Sequence, residues 1–175
     1  LMYDGSRKSL KENIEETKRI VKIAHESNIS CEGEIGFVGY SNGENSAGTD
    51  PAEAEIFANE TGVDAMAISV GNVHLQENKE GGLDEDRISK IQMLTSVPLV
   101  IHGGSGVPTE QRKRLARETN ICKFNIGTEL RMAFGQAMRN AVNKDAKRFD
   151  RVSILKETHD PTVAVVRRVL SNLKG

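Results

Sequence analysis

The sequence has 175 residues, which is enough for one domain with a hydrophobic core. Charged residues make up 28% of the chain and the formal net charge is −1, which gives no electrostatic case for binding nucleic acid or an anionic membrane. The sequence has no apolar run of the roughly 18 residues that span a bilayer. Because the two cysteines, Cys31 and Cys122, suggest no disulfide framework, we expect a reducing, cytoplasmic location.

Amphipathic stretches alternate with short apolar runs along the chain. The helix start signals include Asp50-Pro51 and Asp160-Pro161, and the apolar runs predict strands ending near residues 4, 36, 71, 102 and 126. This alternation predicts a parallel sheet built from βα units. The predicted helices cover residues 9–27, 50–62, 84–94, 108–118, 129–142 and 160–173.

The first six residues read as the end of a buried strand that runs into a loop. A closed (βα)8 barrel needs roughly 250 residues, and five βα units are too few to close one. We therefore expect that residues 1–175 are a single domain that forms the C-terminal portion of a barrel, without its first βα units. An open, doubly wound sheet is the structural alternative.

Polar residues cluster where the predicted strands end. Active sites of parallel α/β folds are built at the carboxyl ends of the strands. One polar residue at one strand end means little, but a series at five successive ends favours a functional site. The series comprises Asp4, Glu34, Asn72, His74, His102, Asn125 and Thr128.

His74 and His102 follow neighbouring strands and are one βα unit apart. Both imidazoles can therefore point into one site. Two neutral histidines with a third ligand and an open position are typical of catalytic zinc. The alternative is a hydrogen-bonded pair of histidines without a metal. His25, near a helix end, and His159, before the predicted last helix, are poor ligand candidates.

Two glycine-containing segments are candidates for phosphate binding. The first, His102-Gly103-Gly104-Ser105-Gly106, combines flexible backbone with a serine hydroxyl and precedes a helix that starts near Pro108. The second, Asn125-Ile126-Gly127-Thr128, also precedes a helix. The last two βα loops are the usual phosphate site of a barrel. The basic run 111–114, by contrast, is interpreted as a solvated helix face.

These motifs together resemble class II fructose- and tagatose-bisphosphate aldolases. The resemblance covers nearly the whole chain, from the family's fourth strand to its C-terminal helices, and implies a TIM (βα)8 barrel of which strands 4–8 are present. The matching segments are Met2-Tyr3-Asp4-Gly5-Ser6, Glu32-Gly33-Glu34-Ile35-Gly36, Gly71-Asn72-Val73-His74, His102-Gly103-Gly104-Ser105-Gly106 and Asn125-Ile126-Gly127-Thr128.

The resemblance implies a zinc-dependent lyase of carbohydrate metabolism that cleaves a ketose bisphosphate reversibly to dihydroxyacetone phosphate and an aldehyde. Zinc would be held by three histidines, two of which map to His74 and His102. Glu34 would bind the metal in an alternate position or steady its environment, and Asp4 would support the metal site. A monovalent cation such as Na⁺ or K⁺ near the phosphate and a homodimer or homotetramer are also implied. The residues implied for the phosphate and hydroxyls are Gly103, Gly104, Ser105, Asn125, Gly127 and Thr128.

The sequence departs from the family pattern at several positions. The family's third histidine ligand and its neighbouring aspartate lie on the third strand, which is not in these residues. Leu75 stands where the family has glycine, and Lys79 is displaced from the family's phosphate lysine. Glu44 lies near the place of the acidic proton-transfer residue, and Gly127 stands where aspartate or alanine is frequent.

Two other functions stay open at this stage. One is another sugar-phosphate barrel enzyme, an isomerase or epimerase, which would need a pair of general bases in place of a third histidine. The other is a non-catalytic barrel remnant that binds a phosphorylated metabolite. Leu75 and the displaced Lys79 are compatible with the remnant, and zinc content distinguishes it from the aldolase.

Overall fold

A computed structural model describes residues 1–40, 43, 46–78, 82–145 and 147–174. Within these residues, parallel strands and helices alternate as the sequence predicts, and the last two helices follow each other directly. The strands are β1 (Met2–Asp4), β2 (Glu32–Ile35), β3 (Ala65–Ile68), β4 (Leu99–Ile101) and β5 (Ile121–Phe124). The helices are α1 (Leu10–Glu26), α2 (Pro51–Thr61), α3 (Glu85–Leu94), α4 (Thr109–Glu118), α5 (Thr128–Asn143) and α6 (Arg151–Leu173).

The strands lie in the sheet in chain order, β1-β2-β3-β4-β5, and every neighbouring pair is parallel. A doubly wound sheet reverses its strand order at a switch point. Because the described strands show no such reversal, the doubly wound alternative is excluded for them. Consecutive βα units of a barrel have this sequential order.

Local signals place most helix starts where the sequence predicts them. Asp50 caps α2 by accepting hydrogen bonds from the backbone N–H groups of Ala52 and Glu53, at 2.9 and 3.1 Å. Pro51 occupies the first turn, and Gly62 ends the helix in the left-handed conformation with φ 72°.

The predicted start of the last helix is wrong. The helix begins at Arg151, and Asp150 is its cap, accepting from the N–H groups of Val152 and Ser153. Pro161 lies inside α6, where it removes one intrahelical hydrogen bond. The earlier cap and the packing of α6 on α5 outweigh that loss, and His159 therefore lies within the helix.

The two faces of the sheet differ in chemistry. Side chains alternate along each strand, and one set packs under the helices in a core that includes Phe57, Met66, Ile68 and Ile101. Gly33 belongs to this side, since a Cβ there would lie 2.9 Å from both Phe57 and Val63. The opposite face carries the charged side chains of Glu34 and Lys123. These two residues lie at the same level of the sheet, because Glu34, Ala67, Val100 and Lys123 are successive register partners.

Candidate active site

The carboxyl ends of the strands bring His74 and His102 together. Their ring centroids are 6.0 Å apart. The N–H of His74 donates to the carbonyl of Gly39 at 2.8 Å, and its ring lies 5.1 Å from that of Tyr40. The predicted meeting of two imidazoles from neighbouring strands is therefore present in the structure.

Asn72 fixes the backbone between the two histidines. The residue is buried, and its side-chain amide donates to the carbonyl of His102 at 2.9 Å. Its side-chain oxygen accepts from the N–H of Val70 at 2.7 Å. This strand-end asparagine is thus explained by its backbone hydrogen bonds.

Both ring nitrogens of His102 contact buried carboxylates. Nε2 lies 3.0 Å from Oε1 of Glu32, and Nδ1 lies 3.1 Å from Oε2 of Glu34. The other Glu32 oxygen forms an ion pair with Lys123 on β5. We name Glu32, Glu34, His102 and Lys123 the carboxylate–histidine cluster.

The two histidines have opposite pKa shifts. Burial lowers the pKa of His74, and the charge of His102 lowers it further, so His74 is neutral at neutral pH. Burial also opposes the charged form of His102, but hydrogen bonds to Glu32 and Glu34 outweigh it and raise its pKa to about 9. A metal that bound His102 would displace a proton from the ring.

Asp4 lies at the edge of this group. It is in register with Glu34 at the end of β1 and accepts hydrogen bonds from Ser6, at 3.0 Å from the N–H and 2.6 Å from the hydroxyl. Its side chain is exposed, and its charge acts on His74. The structure therefore places Asp4 beside the histidines without a direct contact to either ring among the described hydrogen bonds.

The loop after His102 is a tight turn that depends on glycine. Gly103 has φ 65°, and an added Cβ would lie 2.8 Å from the carbonyl carbon of Val73. Residues Gly104–Gly106 then form one turn of 3₁₀ helix. The N–H of Gly104 donates to the carbonyl of Asn125 at 3.0 Å, which joins the two predicted phosphate loops. We name Gly103–Gly106, where the sequence predicts phosphate binding, the phosphate turn.

Arg112 supports the phosphate turn from behind, and its predicted place on a solvated helix face is wrong. The side chain is buried, and its guanidinium donates to the carbonyl of Gly104 at 3.2 Å and to Glu129 at 2.7 Å. It also donates to the side chain of Asn172 on α6 at 3.0 Å. Arg112 lies three positions before buried Leu115 on α4, so helical periodicity could have indicated its burial.

A cavity of about 390 Å³ opens beside the phosphate turn. Ser105 is buried at its edge, and its hydroxyl accepts from the N–H of Glu129 in the first turn of α5, at 3.3 Å. Leu75 and Arg131 also line the cavity. The predicted residues that line it are His74, Gly103, Ser105, Asn125, Gly127 and Thr128.

Gly104 is not among the described residues that line the cavity, and its N–H donates to the carbonyl of Asn125. Leu75 adopts φ 58°, the left-handed conformation that favours glycine. Glu44 and Lys79 lie outside the described residues. Glu32 was not predicted, although it shares the strand face of Glu34 two residues away.

Comparison with known proteins supports a family assignment. The family described as fructose-bisphosphate aldolase class II matches residues 1–175. The chain belongs to this family. A fructose-bisphosphate aldolase of Geobacillus stearothermophilus is 36% identical over 170 residues, which are 95% of this chain and 59% of that protein.

Solved structures of two aldolases are similar to this chain in fold. The YdjI aldolase of Escherichia coli K12 is 33% identical with a TM-score of 0.72, and the match covers 98% of this chain and 57% of that one. The fructose-bisphosphate aldolase of Campylobacter jejuni is 21% identical with a TM-score of 0.78 over 98% and 58% of the two chains, and this likeness concerns the fold alone. The chain thus spans about three fifths of these relatives, and its five parallel strands have the arrangement of a partial TIM barrel.

The class II aldolase family generally depends on zinc, and the donors in this chain fit such a metal in part. Two imidazoles on one tetrahedral zinc place their ring centroids about 5 Å apart, given Zn–N distances of about 2.1 Å. The 6.0 Å separation of His74 and His102 is close to that value. However, no three His, Cys, Asp or Glu side chains in the described part of the chain form a group that could hold a metal ion.

The histidine pair therefore fits part of a zinc site, and a complete site needs a further donor. Glu34 contacts Nδ1 of His102 and is a candidate for that donor, while Glu32 on Nε2 is suited to orient the ring. None of the helices in the described residues is long and apolar enough to cross a membrane.

Proposed function

We propose that this chain contributes two metal ligands and the phosphate-binding loops to the active site of a zinc-dependent aldolase. The reaction is reversible aldol cleavage of a ketose bisphosphate to dihydroxyacetone phosphate and an aldehyde. One observation carries the proposal. His102 contacts two buried carboxylates, and the phosphate turn follows it directly in the chain. Family membership supports the same reaction.

His74 and His102 are the proposed zinc ligands. His74 binds in the neutral form that its lowered pKa favours. Glu32 holds the His102 ring through Nε2, and Glu34, which contacts Nδ1, would be a further donor to the metal. Asp4 contributes negative charge beside this group. Bound zinc supplies a Lewis acid that polarises the substrate carbonyl and stabilises negative charge.

The cavity beside the turn is the proposed site of the phosphate and hydroxyl groups of dihydroxyacetone phosphate. Backbone N–H groups of a glycine-rich turn and of a helix N-terminus suit a phosphate. Gly103, Ser105 and Thr128 are proposed to hold the phosphate, with Gly104 and Gly127 shaping the backbone. Asn125 is proposed to hold a substrate hydroxyl near the metal. A Na⁺ or K⁺ ion beside the phosphate belongs to the same proposal.

Two residues outside the described part of the chain complete the proposal. Glu44 is proposed to transfer a proton, and Lys79 to approach the phosphate. The active form is proposed to contain the barrel units present in the longer relatives, to form a homodimer or homotetramer, and to act in the cytoplasm. The two free cysteines are compatible with a reducing compartment.

The test uses the full-length polypeptide that carries residues 1–175. Purified protein should contain zinc and cleave fructose or tagatose bisphosphate, and a chelator should abolish cleavage until zinc is restored. Zinc-free protein that binds inorganic phosphate without cleaving either ketose would instead indicate the non-catalytic remnant. Cleavage that survives complete removal of the metal would contradict the proposal.

A further inference from the structure

We propose that Asn13 is a positioning residue for the metal site, and that it acts by holding the backbone of Glu34 at the carboxyl end of β2. The inference rests on the proposed function, in which Glu34 is a further donor to the metal. Asn13 is a polar side chain on α1 with only 3% of its surface exposed. Its hydrogen bonds account for that burial and connect α1 to the metal site.

Local sequence signals bring Asn13 to the carboxyl end of the sheet. Ser9 and Glu12 form a capping box that fixes the first turn of α1. The N–H of Asn13 then donates to the carbonyl of Ser9 at 2.9 Å. Asn13, Thr17 and Val21 recur every four residues and are all buried, so they share the inward face of the helix. Because α1 starts shortly after β1 ends, Asn13 lies at the strand-end side of that face.

The carbonyl of Glu34 receives its donor from Asn13 instead of from a strand. The N–H of Glu32 donates to the carbonyl of Leu1 at 2.8 Å, and the backbone groups of Glu34, two residues later, face β1 in the same way. However, β1 ends at Asp4, the register partner of Glu34. The side-chain amide of Asn13 takes the place of the missing strand residue and donates to the carbonyl of Glu34 at 2.9 Å. This bond satisfies a buried acceptor that would otherwise cost free energy.

Thr17 and Gly5 determine how the Asn13 amide is oriented. The buried hydroxyl of Thr17 donates to the side-chain oxygen of Asn13 at 3.0 Å, which leaves the amide nitrogen directed at Glu34. Gly5 gives the amide its space, because an added Cβ at Gly5 would lie 2.7 Å from Cγ of Asn13. The two contacts therefore select one orientation of the amide, with its nitrogen toward β2.

The backbone around Glu34 is held on both sides, and this fixes the direction of its side chain. Beside the bond from Asn13, the hydroxyl of buried Thr49 donates to the carbonyl of Ile35 at 2.7 Å. The Glu34 carboxylate is thereby kept at His102, with Oε2 at 3.1 Å from Nδ1. Metal affinity depends on the groups that orient the donors as well as on the donors. The Asn13 bond should therefore be measurable in the affinity for zinc.

The experiment measures the zinc affinity of the full-length protein by competition with a chromophoric chelator. Asn13→Ala should weaken zinc binding about tenfold, the lower end of the effect of removing a group that orients a metal ligand. Val21→Ala is the matched control, because Val21 is buried on the same face of α1 and packs in the hydrophobic core. It should melt at a lower temperature than the parent and keep the parent's zinc affinity. Equal losses of affinity in the two variants would overturn the inference.

A double-mutant cycle shows whether Asn13 acts through Glu34. The effect of Asn13→Ala on zinc affinity is measured again in the Glu34→Gln background, which keeps His74 and His102 and should bind zinc more weakly. If Asn13 positions the Glu34 carboxylate, Asn13→Ala should change the affinity little in that background. The same loss of affinity in both backgrounds would show a general effect on the fold and would overturn the inference.

Two milder changes test the same bond and keep the inference falsifiable if Asn13→Ala does not fold. Thr17→Val has nearly the same shape and removes the donor that orients Asn13, so it should weaken zinc binding about threefold. Thr17→Ser keeps the hydroxyl and should keep the affinity. Gly5→Ala should displace the amide and weaken zinc binding in the parent, with no further loss in Asn13→Ala. Unchanged affinity in both Thr17→Val and Gly5→Ala would contradict the role of Asn13.

The outcomes also separate this inference from the proposed function. If the parent binds zinc with this dependence on Asn13 but cleaves no ketose bisphosphate, the aldolase proposal fails and the role of Asn13 stands. If the parent cleaves the substrate with zinc and Asn13→Ala binds zinc as the parent does, only the role of Asn13 fails. A parent protein that binds no zinc overturns both.

Discussion

The carboxylate–histidine cluster and the phosphate turn are adjacent in sequence but are built in different ways. The cluster is made of side chains, and its buried charges are paired across β2, β4 and β5. The turn is formed by backbone. Gly103 adopts the left-handed conformation, and the N–H of Gly104 donates to the carbonyl of Asn125 in the neighbouring loop. The peptide bond between His102 and Gly103 joins the two regions.

The difference determines which changes each region tolerates. Paired charges in a buried cluster are sensitive to the loss of one partner, because the remaining charge is left without compensation. A backbone turn is sensitive to a side chain that its conformation or its neighbours cannot accommodate. The phosphate turn has one additional requirement, since its support is itself a buried ion pair between Arg112 and Glu129.

The largest effect is expected for Arg112→Met. The substitution leaves Glu129 without its buried partner and the carbonyl of Gly104 without a donor. We expect a loss of about 3–5 kcal/mol in the free energy of unfolding, measured by denaturant titration. Arg114→Met is the control on the same helix, because its ion pair with Glu85 is partly exposed and should contribute less than about 1 kcal/mol. Equal losses in both variants would show that the support is not needed.

A smaller effect is expected for Gly103→Ala. The alanine must adopt φ near 65° and would press against the backbone of Val73. We expect a loss of about 2 kcal/mol together with weaker phosphate binding. Gly135→Ala is the control, since a Cβ within α5 meets only Arg139 at 3.5 Å and should stabilise the helix by about 0.5–1 kcal/mol. A stable Gly103→Ala protein with unchanged phosphate affinity would contradict the role given to the turn.

The smallest effect is expected for Lys123→Met in the cluster. Lys123 is partly exposed and Glu32 keeps its contact with His102, so we expect a loss of about 1 kcal/mol at neutral pH. Burial opposes ionisation of Glu32, but hydrogen bonds from His102 and Lys123 lower its pKa below the ordinary value.

The sign of the pH dependence follows from that lowered pKa. A carboxylate with a depressed pKa contributes stability above the pKa of the unfolded state, and this contribution is lost as the pH falls through the folded value. Removal of Lys123 raises the pKa of Glu32, so unfolding on acidification should begin at a higher pH in Lys123→Met. Superimposable stability profiles between pH 7 and pH 3, measured in chelator, would show that Lys123 does not support Glu32.

Most of the fold could be predicted because its signals are local. Asp50 with Pro51 marks a helix start, and the apolar run at Ala65 marks a buried strand. The helix start predicted at Asp160-Pro161 was wrong, because the same signal can occur inside a helix when another cap precedes it. Here that cap is Asp150. Local patterns do not reveal which of two caps tertiary packing uses.

The candidate site could be predicted only in part for a related reason. Positions at strand ends are readable in the sequence, and His74 and His102 do meet. The contacts of Glu32, Lys123 and Arg112 could not be predicted, because they join strands and helices that are far apart in sequence. Burial and the charge of His102 lower the pKa of His74, whereas hydrogen bonds to Glu32 and Glu34 outweigh burial and raise the pKa of His102.

The central claim is that His102 binds the metal at the junction of the two regions. Its most direct test is the zinc content of the full-length His102→Ala protein, measured beside its aldol cleavage activity. The control is His159→Ala, because His159 is exposed on α6. We predict that His102→Ala loses stoichiometric zinc and cleavage together while His159→Ala keeps both. A His102→Ala protein that retains one zinc per chain and cleaves the substrate would contradict the claim.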